Sequence, residues 1–97
     1  MTYTVCEIEE KNGRLTPVKF IASTSTLTDA RKKAYKIVWD AHNGKYNTDR
    51  PNKRGIFGPK GKVGKVTWCT KCNKILWNDG KAWYSLASDG KLKKKVV

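Results

Sequence analysis

The clearest periodic signal in this chain lies between residues 27 and 42. Leu27, Ala30, Ala34, Ile37, Val38 and Ala41 recur there at helical spacing, with Tyr35 and Trp39 flanking the stripe. A helix with one apolar stripe is held mainly by packing that stripe against another element. Thr26, with Asp29 three residues on, resembles a capping box carrying the shorter acid, and Asn43-Gly44 suits a helix stop. What surrounds this segment is strand-like. Residues 2–8 and 18–23 are rich in β-branched and aromatic side chains, and between them Asn12-Gly13 suits the positive φ angles of a hairpin turn. Val18, Phe20 and Ala22 are expected on one strand face, and Pro17 fits a strand start or an edge.

Residues 65–69, 73–77, 81–87 and 91–96 read as a meander, with Asp79-Gly80 and Asp89-Gly90 as turns. The expected fold is therefore α+β: ββα followed by antiparallel β-hairpins, with one helix packed on the sheet. Ninety-seven residues make this a single domain, with no second core. Residues 45–65 stand apart. Pro51, Pro59 and four glycines (Gly55, Gly58, Gly61 and Gly64) interrupt a run of like charges, which predicts a flexible basic loop.

Charge is the strongest compositional feature. Lys and Arg number 21 against 8 acids, a formal net charge of +13. Residues 1–49 hold 8 basic and 6 acidic side chains, whereas residues 50–97 hold 13 basic and 2 acidic. So uneven a field predicts a polyanionic partner. The 10% of aromatic residues supplies large side chains for a core, which a wholly disordered chain lacks. Glu7, Glu9 and Glu10 are the main acidic cluster; Glu7 and Glu9 share a strand face, and the cluster reads as a solubilising edge.

Several function classes find little support. There is one His and no Gly-x-Ser-x-Gly, so the material for a hydrolytic triad is thin. Gly61-Lys62 is followed by Val63, and Ile56 stands where a phosphate-binding loop needs Gly. Gly58-Pro59-Lys60-Gly61 has the Gly-x-x-Gly form of an RNA-clamping loop but lacks its helical flanks. No apolar run approaches the roughly 20 residues that span a bilayer, and the first residues lack the pattern of a signal peptide. A cytoplasmic, non-enzymatic protein with no membrane partner is expected.

Cys69-Thr-Lys-Cys72 is the sharpest chemical motif, since two Cys on a tight turn can direct both thiolates at one tetrahedral zinc. Asn73 after it tolerates the left-handed conformation that often follows such a knuckle. No second Cys-x-x-Cys exists, so a metal site would need Cys6 and His42 beside Cys69 and Cys72. Reduced turn thiols, with Cys6 a small buried hydrophobe, are the favoured expectation. Zinc is thus the one cofactor candidate, and none is required.

The leading functional expectation is nucleic-acid binding, DNA or RNA, through phosphate contacts with little sequence preference. Its candidate residues are Arg50, Lys53, Arg54, Lys60, Lys62 and Lys65 of the basic segment, Lys91, Lys93 and Lys95 of the last strand, and Trp83 as a stacking ring. Lys outnumbers Arg 17 to 4, which favours diffuse phosphate attraction over bidentate base reading. On the helix, Arg31, Lys32, Lys33 and Lys36 fall mostly off the apolar stripe, either as a solvated face or as a phosphate-contacting one. The alternative is a protein-interaction module, an inhibitor or adaptor docking on an acidic protein surface.

Overall fold

The computed structural model describes residues 2–42, 53–69 and 73–96. Strands β1 (Tyr3–Lys11) and β2 (Arg14–Thr24) lead into helix α1 (Leu27–His42). Then come β3 (Lys53–Gly58), β4 (Gly61–Cys69), β5 (Lys74–Asn78), β6 (Trp83–Leu86) and β7 (Leu92–Val96). The strands form one antiparallel sheet in the order β2-β1-β3-β4-β5-β6-β7. The molecule is a single α+β domain, with one helix on an antiparallel sheet and the expected ββα start.

Local chemistry accounts for the boundaries. Asn12 and Gly13 take φ of 52° and 77°, and the turn they form is closed by the Lys11–Arg14 pair. Thr26 Oγ1 accepts a hydrogen bond from Asp29 N–H at 3.1 Å, capping the helix start. Gly80 and Gly90, at φ of 94° and 88°, close the two Asp-Gly turns. In those turns Asp79 Oδ1 accepts from the Lys81 and Ala82 amides and Asp89 Oδ1 from the Lys91 amide.

The core lies between helix and sheet. Ala30, Ala34 and Val38 of α1 meet Val5, Ile56, Val66, Ile75, Trp77 and Leu86, all buried. Small alanines on the helix let it sit close to the sheet, while the strands carry the bulk. Burying a side chain of Val or Ile size contributes about 1.5–3 kcal/mol. The sheet curves around the helix, since the β6–β7 turn reaches its first turns. There Arg31 Nε donates to Gly90 O at 2.8 Å, and the Arg31 guanidinium lies 5.4 Å from the centre of the Trp77 ring.

The β1–β2 hairpin tip crosses the opposite face. Lys65, which alternates with the core residues Gly64 and Val66, donates to Glu10 Oε1 at 2.7 Å. On that face Ile8 presses on Gly55 so closely that a Cβ there would overlap its Cγ2. Cys6 and Leu76, each 5% exposed, are buried on this side too.

Three expectations require correction. Where a basic loop is expected over 45–65, residues 53–65 instead form β3 and the start of β4, paired from Lys53↔Thr67 to Gly58↔Gly61. The glycines mark close approach: Gly55 lies under Ile8, and at Gly64 a Cβ would come within 2.6 Å of the Trp77 ring. Residues 45–52 lie outside the described residues. Second, β1 pairs on both sides, with β2 and β3, so Glu7 is no edge residue and stands opposite Arg54. Third, Val18, Phe20 and Ala22 do not share a face. The register shifts twice along β2, so Val5 opposes Ala22 while Cys6 opposes Phe20, and Val18 and Phe20 are 57% and 62% exposed.

Candidate nucleic-acid interface

The residues singled out in the sequence fall in separate places. Arg50 lies outside the described residues. Lys53 begins β3 opposite Thr67. Arg54 is 5% exposed and faces the same side as Val66, its β4 partner, so it belongs to the interior and cannot reach an external phosphate. Lys65 is also removed from the candidate surface, because it is held by Glu10 and its ammonium sits 5.5 Å from the centre of the Trp83 ring. Trp83 is only half-exposed, with that cation over it. Lys60 and Lys62 are exposed on and beside the β3–β4 turn.

Lys91, Lys93 and Lys95 are exposed on and before β7, an edge of the sheet. Lys91, Lys93 and Lys95 alternate in sequence with Leu92, Lys94 and Val96, which in a regular strand gives one mostly basic face, but they do not form that face. Leu86 opposes Leu92 while Tyr84 opposes Lys95, so a register shift breaks the period of two. β5 and β6 separate this edge from β4, a gap of roughly 14 Å at ordinary strand spacing.

The zinc set is not assembled either. Val5 faces the helix, so Cys6, its neighbour on β1, points to the other side of the sheet. His42 ends α1 and stacks on Trp68 with ring centres 3.6 Å apart. Cys6 and His42 therefore stand on opposite sides of the sheet and cannot share one ion. Burial pushes the Cys6 thiol pKa up, which disfavours the thiolate a metal needs. Cys69 ends β4 half-buried, and Cys72 lies outside the described residues. Asn73 does take a left-handed φ of 58°, and its amide donates to Cys69 O at 2.8 Å. Among the described residues no three His, Cys, Asp or Glu side chains converge as ligands.

The structure draws attention to the outer face of α1. An open groove of about 700 Å³ runs along it, with Lys32, Lys33 and Lys36 on its floor beside Tyr35 and Trp39. The three lysines are exposed, as is Trp39. Helical geometry explains the grouping, because positions 32, 36 and 39 recur at spacings of four and three and so share a face. Tyr35 and Trp39, also four apart, stack with planes 6° from parallel and centres 6.4 Å apart. Asp29 and Asp40 border the groove too, and Asp40 Oδ2 lies 3.5 Å from Lys36 Nζ. Ser88, brought over by the β6–β7 turn, closes one side. Arg31 is turned away from this surface by its bond to Gly90.

The lysines of this groove were visible in the sequence as a basic helix face. Its aromatic member was not, because Trp39 reads there as flanking the apolar stripe. Phe20 reads there only as sharing a strand face with Val18 and Ala22. No helix among the described residues is long and apolar enough to cross a membrane. Compared with known proteins, the chain matches no family model, no curated protein and no solved structure.

Proposed function

We propose that this protein is a small, intracellular, non-enzymatic nucleic-acid-binding protein that holds its ligand through phosphate contacts with little sequence preference. The observation that carries the reading is the gathering of Lys32, Lys33 and Lys36 beside an exposed tryptophan in one groove of the helix face. Three ammonium groups on a rigid helix offer fixed positive charge to a phosphate chain, and releasing the chain's condensed counterions drives association. Lysine lacks the planar fork that reads guanine edges, so the contacts orient a backbone and do not select a sequence. Exposed Lys60 and Lys62, and the lysines of β7, add to the long-range field that draws a polyanion in.

Electrophoretic mobility shifts over a salt series test this directly. Binding is expected at low salt, with affinity falling linearly on logarithmic axes as salt rises. Affinity indifferent to salt, or no binding at low salt, overturns the reading.

A second reading has one observation in its favour. Val18 and Phe20 lie exposed on β2, the outermost strand at the other end of the sheet from β7, with Lys19 between them. Exposed apolar residues on a sheet edge suit a protein partner, and the exposed Lys19 between them suits an acidic one. Under this reading one partner survives nuclease treatment during affinity capture at a defined stoichiometry, and F20S loses it.

A further inference from the structure

We infer that the groove on α1 takes single-stranded nucleic acid, with an unpaired base stacked on Trp39 and the adjoining phosphates on Lys36, Lys33 and Lys32. The inference rests on the nucleic-acid reading above and specifies the form of the ligand. Trp39 is 47% exposed, although a tryptophan side chain is ordinarily among the most favourable to bury. It is also braced. Tyr35 stacks against it in near-parallel planes, and Trp68 meets it at 57° with centres 6.2 Å apart. His42 in turn stacks on Trp68 at 3.6 Å, so the aromatic row runs from the helix onto β4. A ring fixed by its neighbours and left partly open is a preorganised platform, which loses little rotamer freedom when a base arrives.

The open ring suits a single strand and not a duplex. From Lys32 to Trp39 the helix rises about 10 Å, a span that a short stretch of backbone covers. In a duplex every base is already stacked within the helix and shielded by the backbones, so Trp39 has nothing to receive. A single strand exposes the base faces, and every base has one, which suits a surface without base-edge readers. Asp29 and Asp40 border the same groove; Asp40, 6% exposed, is paired to Lys36.

Fluorescence anisotropy at low salt provides the test, with an oligothymidylate, an oligouridylate and a DNA duplex of the same length. At least one single strand is expected to bind more tightly than the duplex. W39A is expected to weaken that single strand about tenfold, and W39F, which keeps a ring, to retain most of the affinity. Unchanged single-strand affinity in W39A overturns the inference, as does a duplex bound as tightly as the better of the two strands, and both leave phosphate binding intact. Failure of all three probes to bind overturns the parent reading as well. Should W39A lose its fold by circular dichroism, W39F decides the matter: tryptophan quenching at saturating single strand must fall below that of the unaltered protein, and undiminished quenching overturns the inference.

Discussion

Gly90 shows how one missing side chain holds the molecule together. It sits at a φ of 88°, and a Cβ there would overlap the carbonyl oxygen of Thr28 and crowd the amide of Lys32 at 3.0 Å. Both obstacles are helix backbone and cannot move aside. Gly55 differs, since its Cβ would meet the Ile8 side chain, which has other rotamers, and its φ needs no glycine. G55A is therefore expected to cost about 1–3 kcal/mol through overpacking. G90A adds the strain of a left-handed alanine and is expected to cost more. Urea unfolding midpoints check the order, and a G90A midpoint above that of G55A contradicts it. Asp79 gives a pH signature. Hydrogen bonds from the Ala82 and Lys81 amides favour its charged form and hold its carboxyl below the ordinary aspartate value. A pKa lowered on folding contributes stability at neutral pH, and that contribution is lost as pH falls through the lowered value. D79A is accordingly expected to melt below the unaltered protein at neutral pH, with the gap narrowing in acid. Parallel melting curves across the pH series would show that Asp79 acts only through shape.

Among the elements, α1 was fully legible and the sheet only partly so. Helix period and cap lie within one local stretch, so the expected span of 27–42 coincides with the observed one, while the expected stop at Asn43-Gly44 lies outside the described residues. The cap is testable on its own, because Thr26 Oγ1 serves the Asp29 amide at an exposed site with no packing to confuse the result. T26A is expected to lower stability by about 1 kcal/mol and T26S to restore most of it; equal unfolding midpoints for T26A and the unaltered protein would deny the cap its role. β3 and the start of β4 escaped the sequence because glycine was read as a breaker. Gly55 and Gly64 instead make room for Ile8 and Trp77, residues distant in sequence that only the folded chain brings near. The bulges of β2 and β7 were hidden for a related reason. A period of two is a local pattern, whereas a register shift answers to the strand alongside. Exposed Phe20 and the broken lysine row of β7 both follow from such shifts.

For the whole molecule the question is whether binding follows net charge or local arrangement. The sequence located the excess charge in residues 50–97, yet the groove comes from residues 29–40 with Ser23, Thr24 and Ser88, mostly from the nearly balanced half. Composition counts charges and cannot say which are spent internally. Arg54 and Lys65 are drawn inward by the fold, and the exposed lysines of β3–β4 and β7 stand apart across the sheet. Two triple variants separate the alternatives. K32Q/K33Q/K36Q and K91Q/K93Q/K95Q each remove three charges from the formal +13, so a diffuse field would weaken equally in both. If phosphates sit on the groove lysines, the first variant gives up close to three of the counterions released on binding. Its logarithmic salt slope on a single strand is then expected to flatten by about 2. The β7 variant should slow association at low salt and leave the slope within a few tenths of the original, because its charges steer from a distance and screening removes them within about 10 Å at 0.1 M salt. Equal slopes for the two variants would return the binding to the overall field and deprive the helix face of its role.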